Sequence, residues 1–168
     1  PSDRIEELVN LIISFDYDMV QGSRVNRSAG GMPFYKLLGN NFLNWIEKFV
    51  FGFQLKEYHS GFNAYRCESL KRIPYWQCSN GFTITADIFA MLKNHGLRVG
   101  EIEIPTYYGP EVASVSLGTS IHYGIYVLFL LIKYYLAKLN IYTDAKFRLV
   151  STKDVNEADV TIVESQKK

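Results

Sequence analysis

The sequence predicts an α/β fold in which a layered sheet is covered by helices. Three observations predict it. Segments of helical period alternate with segments of strand character, the pattern of a layered α/β domain. The 168 residues suffice for one domain. Hydrophobic residues make up 48% of the chain, enough to fill a sizeable core. The 18 Lys and Arg nearly balance the 17 Asp and Glu, and the net charge of +1 argues against a nucleic-acid partner bound through bulk charge. The many aromatics follow no repeat period, which excludes solenoids and propellers. Cys67 and Cys78 form no CxxC pair and have no His at zinc-finger spacing, so no structural metal and no disulfide scaffold is expected. The first residues, Pro1-Ser2-Asp3, carry no initiator Met and no signal pattern, and read as the middle of a longer chain.

Each element has its own signal. Ser2 or Asp3 can cap a first helix with Ile5, Leu8, Val9, Ile12 and Ile13 on one face, ending near Phe15. Met19 to Arg24 reads as a short strand that opens into a loop with Gly30, Gly31 and Pro33. Phe34, Leu37, Leu38, Phe42, Trp45, Ile46 and Phe49 keep a helical period until Gly52 stops it. Tyr58 to Cys67 alternates as a strand does, with Gly61 marking a bulge or a close backbone approach. A helix from about Thr85 to Asn94 closes at Gly96, and Leu97 to Thr106 reads as a strand ended by Pro105.

Residues 120–140 admit two placements. Tyr123 to Ile132 carries no charge, but Lys133 and Lys138 follow, leaving about ten clean apolar residues where a spanning helix needs about twenty. A transmembrane helix is therefore not expected. Four tyrosines, two lysines and no acid suit a helix lying in a membrane interface, and the same run suits a helix buried on the sheet. Residues 146–168 read as a weakly packed extension with a candidate edge strand at Asp159 to Val163.

Chemistry concentrates in three places. Arg24, Arg27 and Lys36 stand in a stretch without acids and rich in glycine, which suits an anionic ligand such as a phosphate and equally a solvated loop. Glu57-Tyr58-His59-Ser60-Gly61 packs an acid, an imidazole, a hydroxyl and a glycine together: His59 can shuttle a proton, Glu57 can orient it, and the two can also be a structural pair. Asp87, in the first turn of an apolar helix, is either a dipole partner or a carboxylate aimed into a cleft.

The order of these words resembles a known family. Gly22-Ser23-Arg24, Gly30-Gly31-Met32-Pro33 with Lys36, Glu57-Tyr58-His59-Ser60-Gly61-Phe62, Gly81-Phe82 with the acid at 87, and Gly100-Glu101-Ile102-x-Ile104-Pro105-Thr106 are similar to the second half of a family 2 glycosyltransferase, closest to bacterial members allied to the dolichyl-phosphate sugar synthases. The likeness covers residues 1–145 and implies the acceptor-side half of a GT-A, Rossmann-like domain: a mixed sheet with flanking helices and a C-terminal amphipathic or interfacial helix. It implies inverting transfer of a sugar from a nucleotide-diphosphate donor to a polyprenyl phosphate or other lipid-linked acceptor, with the protein peripheral at the cytoplasmic membrane face. Residues 120–140 would meet that membrane surface.

Within this half the resemblance gives Arg24, Lys36, Ser60 and Gly61 to the acceptor, and His59, Glu57 and Asp87 to the catalytic set. Asp87 replaces the usual Glu and Ile84 the usual aromatic, which weakens a base role; orienting His59 or its loop is the expected alternative. The family's D-x-D word, which holds Mg or Mn on the donor diphosphate, has no match, since Asp16-Tyr17-Asp18 stands at a helix-strand turn. No cofactor and no sugar transfer are expected of these 168 residues alone. Two other readings stay open: a non-catalytic membrane-interface module, and a soluble glycosyltransferase with a saccharide acceptor.

Overall fold

The computed structural model describes residues 2–25, 32–105, 116–148 and 150. Helix α1 (Ile5–Phe15) follows a 3-10 turn at Ser2–Arg4 and ends at Asp16, in the left-handed region at φ 55°. No side chain caps its start, and the Arg4 guanidinium instead pairs with Glu7 at 2.7 Å. Strand β1 (Met19–Val25) leads to helix α2 (Phe34–Phe51), closed by Gly52 at φ 71°, where a side chain would be strained. Strand β2 (Asn63–Tyr65), the short helix α3 (Cys67–Leu70), helix α4 (Ile84–Asn94), strand β3 (Val99–Pro105) and helix α5 (Leu117–Lys138) complete the order.

The sheet has the order β2-β1-β3, with β1 and β3 parallel and β2 antiparallel to β1. The protein is thus α/β with a small mixed sheet and flanking helices, consistent with part of a GT-A fold. On one side α1 lays Leu8 and Ile12 against Val20, Ile102 and Ile104. On the other, α2, α4 and α5 enclose the larger cluster, with Phe51, Phe89, Met91 and Val127 wholly buried. Burial of each such side chain contributes about 1.5–3 kcal/mol, so this cluster dominates the hydrophobic stabilisation.

Three expectations need correction. The strand expected over Tyr58–Cys67 shrinks to Asn63–Tyr65, because residues 56–61 spend their backbone groups on side chains of neighbouring elements and form no ladder. The periodicity of α2 identified the helix but not its buried face: Leu43, Glu47 and Phe51 point inward, while Phe34, Leu38, Phe42, Trp45 and Phe49 point out. The extension expected from residue 146 begins inside the packed body, where Phe147 meets Tyr134 edge-on at 5.6 Å and Lys146 meets Asp87. Arg27, Gly30, Gly31, Thr106 and the candidate strand at 159–163 lie outside the described residues.

Close approach fixes Gly100. A Cβ there would stand 2.7 Å from the Tyr17 ring, which is itself held beneath the Arg98 guanidinium at 5.2 Å. Gly100→Ala is expected to cost about 1–3 kcal/mol in urea unfolding. Gly61→Ala, whose Cβ would meet nothing within 4 Å, is expected to change stability by less than about 0.5 kcal/mol. Equal effects at the two positions would contradict this packing.

Candidate functional site

The loop after α2 is clamped from three sides. Asn44 of α2 accepts the Tyr58 N–H at 3.0 Å, and the Glu101 carboxylate on β3 accepts the Lys56 N–H at 2.9 Å and the Glu57 N–H at 3.3 Å. Gln21 of β1 donates to the Glu57 carbonyl. Glu101 sits in the phase of β3 that alternation assigns to solvent, yet it caps this loop.

The clamp places Glu57, which is wholly buried, at the end of β1. Its carboxylate accepts the Arg24 backbone N–H at 2.9 Å and Arg24 Nε at 3.0 Å, and pairs with Arg24 Nη2. Arg24 Nη2 also donates to the His59 carbonyl at 3.3 Å. The guanidinium is therefore fixed in a fork by one carboxylate while 22% of its side chain stays exposed. Glu57 was expected to orient His59, but it holds Arg24.

The carboxylate that faces His59 belongs to Glu47 of α2, with Oε2 3.2 Å from His59 Nε2. On the other side of the ring, Nδ1 and the Tyr123 hydroxyl of α5 are 2.8 Å apart, and the two rings meet edge-on. Burial pushes the Glu47 carboxyl well above the ordinary range. Burial, reinforced by the charges of Glu47 and Glu57, does the same to the Tyr123 phenol. The sequence signal for Glu47 was an acid four residues from Leu43 and from Phe51, on the face those two share.

Asp87 lies apart from this group and does not touch His59. Its buried carboxylate accepts the Ser79 N–H and hydroxyl at 2.7 Å each, the Tyr126 hydroxyl at 2.8 Å and Lys146 Nζ at 2.7 Å. Burial pulls the Lys146 ammonium down, but its bonds to Asp87 and Tyr126 outweigh that and leave it above its ordinary value. Burial, with the nearby Asp87 charge, pushes the Cys78 thiol up to about 12, so it stays protonated at neutral pH. A carboxylate that accepts from four donors is a structural anchor.

Ser60 is buried, and its hydroxyl accepts the Phe62 N–H at 3.3 Å, which holds the turn. Gly61 is exposed with open space above it. Lys36 lies in the first turn of α2, half-buried. Among the described residues no group of three or more His, Cys, Asp or Glu is placed to hold a metal. Asp16 pairs with Arg66 at 2.8 Å, and Asp18 accepts the Arg98 N–H at 2.6 Å and the Ser69 hydroxyl, so these two acids do not fit a D-x-D role.

The outer faces of α2 and α5 have a common character. Phe34 is 77%, Trp45 68% and Phe49 83% exposed, in one stripe with Leu38 and Phe42. On α5 the stripe runs through Leu117, Ile121, Ile125, Phe129 and Ile132, each at least half exposed. Neither helix carries an acid except the buried Glu47. By length and composition α5 could cross a membrane. Its inner face, through Val127, Leu130, Leu131 and Tyr134, is instead built into the core with α2 and α4.

Known proteins bear on this arrangement. The chain is 32% identical over 134 residues to an uncharacterized protein of Methanocaldococcus jannaschii, covering 79% of this chain and 54% of that one. It is 24% identical over 139 residues to the UDP-N-acetylglucosamine–dolichyl-phosphate N-acetylglucosaminyltransferase of Methanococcus voltae, covering 82% and 55%. It is 27% identical over 128 residues to the dolichyl-phosphate hexose transferase of Haloferax volcanii, covering 72% and 54%. The chain spans about half the length of the curated relatives it matches. No protein-family model matches it, and no solved structure matches it. It is a distant relative of proteins named as dolichyl-phosphate glycosyltransferases.

The Asp87 cluster yields an ordered prediction. Asp87→Ala strands the Lys146 charge among buried groups and is expected to cost about 3–5 kcal/mol in chemical unfolding. Lys146→Ala leaves the carboxylate three neutral donors and is expected to cost about 1–3 kcal/mol. The reverse order would refute the anchor assignment.

Proposed function

We propose that this chain is the acceptor-side part of a family 2 glycosyltransferase that moves a sugar from a nucleotide-diphosphate donor to a polyprenyl phosphate or other lipid-linked phosphate, peripheral to the cytoplasmic membrane face. One observation carries the reading: a guanidinium preset by a buried carboxylate is held by a loop that packs through His59 on two helices, and the outer faces of those helices are apolar and free of exposed acids. Such a site suits an amphiphile with an anionic head. The names of the two dolichyl-phosphate relatives support the same acceptor class.

In this reading Arg24 meets the acceptor phosphate, Lys36 is a second cation, and Gly61 leaves room for the reacting sugar, with Ser60 holding the turn. A phosphate oxygen attacks the anomeric carbon as the bond to the donor diphosphate breaks, and the nucleotide diphosphate leaves with the electron pair, giving inversion. The phosphate is anionic at pH 7, so no general base is needed. Glu57 and His59 then act by holding Arg24 and its loop, and Asp87 anchors α4 to α5. Mg or Mn on the donor diphosphate belongs to the whole-protein reading, and no step here runs through it.

Two experiments test the reading. Arg24→Met alone would strand Glu57 in the interior, whereas Arg24→Met/Glu57→Met removes both charges and keeps the volume, so the fold should persist. The double variant is expected to lose about ten- to hundredfold in affinity for geranylgeranyl phosphate in neutral detergent micelles, the worth of a charge-assisted phosphate contact. Unchanged affinity in a folded double variant would remove the anion site.

The second is liposome flotation. Inserting α5 across a bilayer would draw Lys133 inward at about 2.5–3.5 kcal/mol and tear its inner face from the core, whereas lying flat avoids both costs. Each interfacial lysine gains about 1 kcal/mol from anionic lipid. Binding should require anionic lipid, weaken with salt, and fall in Trp45→Ser/Phe49→Ser and in Lys138→Glu, all exposed positions. A protein that ignores vesicles of every composition would favour a soluble saccharide acceptor.

A further inference from the structure

The Glu47, His59 and Tyr123 cluster is buried and joins three elements, and nothing in the transfer chemistry above uses its proton. Glu47 and His59 expose 0% and 7% of their side chains, and neither oxygen of Glu47 nor the Nε2 of His59 has a hydrogen-bond partner among the described residues. A carboxylate in that state is costly unless it is neutral or faces a cation, and the cation-capable atom facing it is His59 Nε2 at 3.2 Å. The charged and titratable groups around the pair are Glu57 and Tyr58 on its own loop, Arg24 on β1, Tyr123 on α5 and, at longer range, Asp87 on α4.

Counting protons restricts the states. If Tyr123 donated to Nδ1 and Nε2–H faced Glu47, the cluster would either carry a bare negative charge in the interior or, with Glu47 protonated, leave the acid O–H without an acceptor among the described residues. If instead Nδ1–H donates to Tyr123, one further proton lies between Nε2 and Oε2, and the pair is neutral overall wherever that proton sits. We infer that Glu47 and His59 share one proton between Oε2 and Nε2, with Nδ1–H donated to Tyr123, and that Glu47 is thereby the positioning residue for the loop that holds Arg24. The link to Arg24 is short: the carbonyl of His59 accepts from Arg24 Nη2, and Glu57 stands two residues before it. This consequence for the anion site rests on the acceptor reading above; the shared proton does not.

The test is a long-range 1H–15N spectrum of the histidine rings in the 168-residue chain at pH 7, with His59 assigned from a His59→Gln variant. The wild type should show Nδ1 protonated and Nε2 displaced toward the protonated position. In Glu47→Gln, Nε2 should move to the bare, pyridine-type position while Nδ1 keeps its proton and the circular dichroism is unchanged. A merely structural Glu47 would not move that signal. A bare Nε2 in the wild type, or the opposite tautomer, overturns the inference, and this arm decides it even if the variant does not fold. Geranylgeranyl phosphate binding is measured in parallel, and the shared-proton signature in a wild type that binds no phosphate would remove the acceptor reading and leave the proton pair standing. Phosphate binding with a bare Nε2 would do the reverse.

Discussion

The fork between Glu57 and Arg24 is the constraint on which the loop after α2 and the site around it depend. A carboxylate with no exposed surface is unfavourable in a protein interior unless its charge and lone pairs are met, and here one residue meets them three times, through a backbone N–H and two guanidinium nitrogens. That demand explains the neighbourhood. Glu101 reaches across from β3 to hold the loop backbone, Asn44 reaches from α2, and Gln21 from β1. The loop has no ladder, yet three elements hold it, and the precision of the guanidinium is borrowed from them.

The helices that shelter this fork set polar groups among the apolar side chains of their inner faces. The inner face of α2 carries Asn44 and Glu47 between Leu43 and Phe51, and the inner face of α5 carries Tyr123 and Tyr126; Asn44, Tyr123 and Tyr126 each bond a group of another element, and Glu47 faces His59. The outer faces carry phenylalanine, tryptophan, leucine and isoleucine. Apolar stripes of this length are unfavourable in water and mark interaction surfaces. Their flanking charges are cationic, Lys48 on α2 with Lys133 and Lys138 on α5.

The elements were legible in the sequence because local signals specify them. Gly52 and Gly96, both at positive φ, ended α2 and the turn after α4 where the pattern placed them, and the alternation around Ile102 and Ile104 marked β3. The orientation of α2 was not legible. Its strongest apolar period lies on the face away from the core, so a rule that sends that period inward inverts the helix. The site was legible in its residues and not in its pairings. Glu57 and His59 are two positions apart in the chain and invite pairing, yet strand geometry sends Glu57 to Arg24, 33 residues away, and the partners of His59 come from helices 12 and 64 residues distant. No local signal reports contacts of that range. Lys146 was lost for the same reason: its meaning lies in Asp87, 59 residues earlier.

Taken together, the two carboxylates near the loop illustrate how position decides chemistry. Glu57 faces a guanidinium that stays charged at any pH a protein survives, so this pair is a fixed dipole. Glu47 faces an imidazole, whose charge is negotiable near neutral pH, so that pair can hold a proton at either end without changing its total charge. Under the acceptor reading proposed above, a phosphate site gains from such a division. The cation in front stays constant, and the group behind it can redistribute a proton when the field of an incoming anion changes, without a buried net charge being created or destroyed.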